Sequence, residues 1–137
     1  MLILKLSSAI KAKITKKGDN LEHTALVNQV VEEMQGLKAE EITVLDLREL
    51  DNSVTNFFVL CNATSSTHAE GIAGAIHKGV SRVLQEKPWH KEDSEGKSWI
   101  LMDYVSCVVH IFLRDTREYY NIEDLWSDAK RTDVIEE

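Results

Sequence analysis

The stretch NFFVLCNATSST, residues 56–67, decides the fold. Its first part, from Asn56 to Cys61, carries five apolar side chains in a row. So short an unbroken apolar run reads as a central strand, covered on both faces. Thr64, Ser65, Ser66 and Thr67 follow directly, and their hydroxyls can accept the free N–H groups of a helix start. The helix expected there covers residues 66–85, with Ile72, Ile76, Val80, Val83 and Leu84 on one side. Gly71, Gly74 and Gly79 each weaken it by about 1 kcal/mol relative to alanine, and are expected to let it pack closely on the sheet.

On the N-terminal side, Leu26, Val30 and Met34 recur every fourth residue, with Val27 and Val31 beside them. That is one face of a helix over 21–35, capped by Asp19-Asn20 and stopped near Gly36. The branched run 42–47 reads as a strand and 48–53 as a turn. On the C-terminal side, 87–97 reads as a polar loop containing Pro88 and Gly96. Residues 98–103 and 106–113 read as two strands of a hairpin. Asp115 is expected to cap a short helix over 116–120, after which 121–126 wraps back. The order is helix, two strands, helix, two strands, short helix, which predicts an α+β fold with helices covering a mixed sheet. The expected organisation is a flexible basic extension at 1–18, one domain over 19–126, and a charged tail at 127–137 that frays.

Among 137 residues the net charge is −7. Lys5, Lys11, Lys13, Lys16 and Lys17 lie in residues 1–18, which hold no acid, so the rest carries 11 basic and 23 acidic side chains. Such a body is repelled by phosphate backbones. It attracts basic protein surfaces and speeds the encounter with them, though acidic residues also simply maintain solubility. Cys61 and Cys107 sit inside apolar runs and read as buried thiols of a reduced cytoplasm, without a metal-binding spacing. No stretch is long enough to span a bilayer.

Sites for chemistry are sparse. His23, His68, His77, His90 and His110 are scattered, with no pair at metal-ligand spacing. His110 alternates with Val109 and Ile111, shares a face with Val108 and Phe112, and reads as a hydrogen-bonded core or rim residue. The turn at 64–67 is a place where an anion would meet a helix N-terminus, but helix capping explains it more simply. Asp46 and Asp103 stand alone on separate strands, so no acid pair for metal ions is visible. The aromatics are more telling. Trp99, Tyr104, Phe112, Tyr119, Tyr120 and Trp126 crowd into 28 positions. Trp99, Leu101 and Asp103 share one strand face, while Ile100, Met102 and Tyr104 share the other. Phe57, Phe58 and Phe112 read as core. Tryptophan and tyrosine beside charge are typical interface anchors.

Three segments carry a family resemblance: EEITVLDL at 40–47, TNFFVLCNATSS at 55–66, and WILMDYVSCVVHIFLRDTREYYNIEDLW at 99–126. Together they resemble the ribosomal silencing factor, or Iojap-like, family over about residues 21–126. The resemblance implies a nucleotidyltransferase-like fold without the catalytic acids, hence no enzyme activity, no cofactor and no metal. It implies a cytoplasmic protein that binds the large ribosomal subunit through its protein number fourteen and blocks joining of the small subunit. Translation would fall, and large-subunit maturation is a further expected role. A minor contact with nearby ribosomal RNA and a homodimer of the free protein are also expected, and no membrane. The family's contact surface maps onto Trp99, Asp103 and Tyr104, with Tyr120 and Trp126 as further partner-binding residues. The chain departs from the family pattern at Val105-Ser106, where glycine and aspartate are usual. It also has Asn56 for an aspartate and Ala63 for a glycine. Valine is poorly suited to positive φ, so a different turn is expected there. The reading from a different class is a nucleotidyltransferase-like, nucleotide-binding protein or enzyme using residues 64–67.

Overall fold

The structure is a computed structural model and describes residues 23–135. The basic extension 1–18 and the Asp19-Asn20 cap lie outside the described residues. Helix α1 spans Ala25–Gly36 and is capped by Thr24, whose Oγ1 accepts the Val27 N–H at 3.2 Å. It therefore begins later than the expected residue 21. Strands β1 (Glu40–Asp46) and β2 (Phe57–Ala63) follow. Helix α2 (Ser66–Leu84) is capped by Ser65, which accepts the His68 N–H. Then come β3 (His90–Asp93), β4 (Trp99–Asp103) and β5 (Cys107–Leu113). Helices α3 (Arg114–Tyr120) and α4 (Ile122–Leu125) and strand β6 (Lys130–Asp133) complete the described order.

The six strands lie in the order β3-β4-β5-β2-β1-β6. Only β2 and β5 run parallel, Phe57 opposite Cys107 through Ala63 opposite Leu113. β4 and β5 form the expected hairpin. Every residue of β2 is buried, as its apolar run requires. α1 and α2 cover one face of the sheet. There Val27, Val30, Met34, Ile72, Ile76 and Val80 pack with Phe57, Val59, Ile100, Met102, Val109 and Ile111. Each such side chain contributes about 1.5–3 kcal/mol when fully buried. Among the described residues, no long helix covers the opposite face. Leu45, Leu47, Phe58, Leu60, Leu101, Val108 and Phe112 form a smaller cluster, partly covered by Leu50, Trp99, Ile122 and Trp126.

Five expectations are corrected. The polar loop at 87–97 contains β3, and the tail at 127–137, instead of fraying, supplies β6. Both are edge strands of four charged or polar residues, too short and too exposed to show alternation. β6 is held to β1 by backbone pairing and by the Thr43 hydroxyl, which donates to Asp133 at 3.0 Å. Asp115 lies inside the first turn of α3, and the cap position is Leu113. The close approach at Gly79 is to α1 rather than the sheet, since a methyl there would collide with the Glu33 side chain.

The fifth correction is the hairpin tip. Val105 takes φ +77° despite its branched side chain. Ser106 N–H donates to Tyr104 O at 2.9 Å across it, closing a γ-turn. Asp103 Oδ1 accepts the Val105 N–H at 2.7 Å, and the Thr55 hydroxyl donates to the Val105 carbonyl at 2.9 Å. These bonds hold a conformation that costs about 1–3 kcal/mol for a residue with a side chain. Glycine removes that strain but adds about 0.5–1 kcal/mol of unfolded-state entropy. Val105→Gly is therefore expected to stabilise the protein by about 1 kcal/mol, read from the urea midpoint. A lower midpoint would mean that the valine side chain contributes more than the strain costs.

Candidate docking cleft

On the thinly covered face the sheet leaves a cleft of about 450 Å³. Phe58, Leu101 and His110 form its floor, and Trp99 and Trp126 stand at its sides. Ile122, Leu125 and Val54 extend the apolar lining, and Glu92 and Asp93 bring acid to the rim. Trp99 projects from the start of β4 because odd-numbered residues of that strand face this side. Trp126 follows α4 and packs edge-on to Phe58, with ring centroids 5.9 Å apart. Tyr120 ends α3 and lies 4.8 Å from the Trp99 ring. Tyr119 and Leu125 are 80% and 75% exposed, so the apolar surface continues beyond the cleft.

Of the residues expected to meet a partner, Trp99, Tyr120 and Trp126 come together here. Asp103 and Tyr104 do not join them. They lie at the far end of β4, each 4% exposed. Tyr104 points into the core beneath the helices, as the strand alternation predicts, and its hydroxyl has no hydrogen-bond partner among the described residues. Asp103 is spent on the hairpin tip, and burial pushes its carboxyl pKa up against the opposing Val105 N–H and His90 charge. Both residues shape the tip instead of offering side-chain surface.

His110 proves to be a core residue with a defined partner. Trp99 Nε1–H donates to its Nδ1 at 3.1 Å. An indole nitrogen only donates, so Nδ1 is bare and the imidazole proton sits on Nε2. That Nε2 is buried and has no hydrogen-bond partner among the described residues, a state that costs about 1–3 kcal/mol. The ring stacks on Phe112 and meets Phe58 edge-on. Burial, and secondarily the Arg117 charge, pushes its pKa down to about 3. Unfolded chain takes up this proton below about pH 6.5, whereas the folded protein refuses it until about pH 3. Stability therefore falls as the pH drops through that window, by up to about 1.4 kcal/mol per pH unit. His110→Leu is expected to flatten this acid limb in denaturant midpoints measured from pH 7 to 4. Parallel curves for the two proteins would contradict the assignment.

The turn at 64–67 is internally occupied. His68 Nε2–H donates to Leu37 O at 2.8 Å, and its Nδ1 accepts the Thr64 N–H at 2.9 Å. Ser65 takes the next free N–H. Asp46 is engaged by Arg48 at 2.7 Å. Cys61 and Cys107 are free, buried thiols, and burial pushes Cys61 up to about 12. Among the described residues no His, Cys, Asp or Glu group is arranged to hold a metal ion, and no helix is long and apolar enough to cross a membrane.

Sequence reasoning gave no role to Arg117, which is 6% exposed and anchors the α3–α4 corner beside the cleft. Its Nη1 donates to Glu41 O at 2.8 Å and Asn62 Oδ1 at 2.9 Å. Its Nη2 donates to Thr43 Oγ1 at 3.0 Å and Glu123 Oε2 at 2.8 Å, and Nε reaches Glu123 Oε1 at 3.3 Å. One signal was available: Asn62 in an otherwise apolar strand needs a partner.

The family described as ribosomal silencing factor during starvation matches residues 20–137. Ribosomal silencing factor RsfS of Halalkalibacterium halodurans is 30% identical over 117 residues, covering 83% of this chain and 96% of that protein. The protein of the same description in Bacillus subtilis is 34% identical over 98 residues, 71% of this chain and 80% of its own. A crystal structure of a Chromobacterium violaceum protein superposes with a TM-score of 0.69 at 24% identity, covering 74% of this chain and 83% of that one. That likeness supports the fold.

Proposed function

The chain belongs to the ribosomal silencing factor family, and from that premise we propose that it docks on the large ribosomal subunit and keeps the small subunit from joining. The docking partner is the subunit's protein number fourteen, and the consequence is lower translation, with a further role in large-subunit maturation in the cytoplasm. The observation that carries this reading is the open aromatic cleft between Trp99 and Trp126, continued by Tyr120, on an acidic body. Large aromatics that are half-buried in a free protein can give most of the energy of a protein contact. Acidic charge around them steers a basic ribosomal protein into place. Blocking a surface asks for shape and affinity and needs no reacting group.

The test is co-sedimentation of the protein with isolated large subunits, together with light scattering of subunit joining. The protein should pellet with large subunits and lower the joined fraction in proportion to occupancy. Binding should weaken as salt rises, because the steering is electrostatic. Absence of the protein from the large-subunit pellet at low salt would overturn the reading.

A further inference from the structure

The buried His110 is an odd choice for its position. A leucine would fill the same space between Phe58 and Phe112 without a polar atom, yet the sheet carries an imidazole with one nitrogen that meets no partner among the described residues. Its other nitrogen takes the Trp99 indole N–H, the one polar atom of that side chain. The indole is thereby turned inwards at its nitrogen, while Tyr120 and Phe112 lie against it at 4.8 and 5.0 Å between ring centroids.

We infer that His110 is a positioning residue that sets what the cleft accepts: by holding the Trp99 N–H inside the domain, it presents an all-carbon wall to the partner and selects an aliphatic or aromatic side chain over a polar one. This rests on the docking reading above and deepens it. The indole cannot be recruited by a partner's carbonyl or carboxylate while His110 holds it. Discrimination follows from a general rule: a polar group buried against such a wall loses its water and finds no replacement. Fixing the ring in advance also spares the partner the ordering of a bulky side chain on binding.

Three proteins decide the matter: the unaltered chain, His110→Leu and Trp99→Ala, each measured against isolated large subunits. Indole N–H exchange is followed by NMR in parallel, with the Trp99 signal assigned by Trp99→Phe. In His110→Leu the Trp99 N–H should exchange at least about tenfold faster. Its affinity for large subunits should fall about tenfold, while its melting temperature at pH 7 stays level or rises. A residue that merely holds the core would do the reverse, lowering the melting temperature with the indole still protected. His110→Gln, which keeps an acceptor, should restore protection and affinity together. A folded His110→Leu protein that binds as tightly as the unaltered one, when Trp99→Ala does not, overturns the inference and leaves docking intact. A leucine variant that fails to fold overturns it as well. Full binding by Trp99→Ala instead moves the docking contact away from the cleft and overturns the inference with it, whereas absence of the unaltered chain from the pellet removes the docking reading itself.

Discussion

Replacing Arg117 with leucine is expected to cost about 3–5 kcal/mol of folding stability, a fall of roughly 10–20 °C in melting temperature. The guanidinium spends its donors on Glu41 O, Asn62 Oδ1, Thr43 Oγ1 and both carboxylate oxygens of Glu123. Leucine fills part of the volume but satisfies none of these acceptors. Glu123, its side chain only 14% exposed, would be left as a nearly buried charge facing Arg131 alone at 3.6 Å. An unpaired buried charge costs more than the pair contributed, and this asymmetry sets the magnitude. Arg117→Lys keeps the charge but not the planar fork, so it should recover only part of the loss. Because the same contacts tie α3 and α4 to β1 and β2, Tyr120 and Trp126 should lose their fixed places in any Arg117→Leu protein that remains folded. A loss below about 1 kcal/mol in a denaturant titration would mean that water replaces the network far better than its burial suggests.

Trp99→Ala is expected to weaken binding to large subunits by at least about 2 kcal/mol, or roughly thirtyfold, with the fold retained. The indole is the side wall of the cleft and touches His110, Phe112 and Tyr120. Its removal deletes one wall of the cleft and frees Tyr120 to move. Exposed Leu125, further out, should matter less when changed to alanine, since rim contacts contribute little. Tyr104→Phe makes the sharper contrast. The Tyr104 hydroxyl is buried without a partner among the described residues, so removing it should leave affinity unchanged and raise stability slightly. Circular dichroism and melting temperature, taken beside the binding isotherms, separate lost contact from lost fold. Equal affinity for Trp99→Ala and the unaltered chain would move the contact elsewhere on the molecule.

The parts of the fold that were legible in the sequence are those where burial imposes a pattern. The apolar run of β2, the period-four face of α1, the Ser65 cap and the alternation along β4 all follow from side chains that must avoid water. Alternation even placed Tyr104 and Trp99 on opposite faces, although the family likeness had grouped them as one contact surface. The edge strands β3 and β6 were illegible because exposed charged residues are compatible with a loop as much as with a strand, and only the neighbouring backbone decides. Val105 was misjudged for a similar reason. Its intrinsic preference against positive φ is overridden by Asp103 and Thr55, the latter 50 positions away in sequence. Arg117 needed the chain folded before its acceptors, drawn from β1, β2 and α4, stood in one place.

The pairing of β6 with β1 has a consequence for how the protein is made. Asp46 and Lys130 are partners at one end of that ladder, and Thr43 and Asp133 at the other. At about 5–20 residues per second of synthesis, roughly 4–17 s separate the completion of β1 from that of β6. Throughout that interval one edge of β1 has no neighbour, and the nascent sheet carries an open, sticky flank. The lysine and arginine of β6 that finally close it also leave a charged outer border, which discourages a second chain from adding on. A protein proposed to restrain ribosomes thus carries an open strand edge while it is itself being made on one.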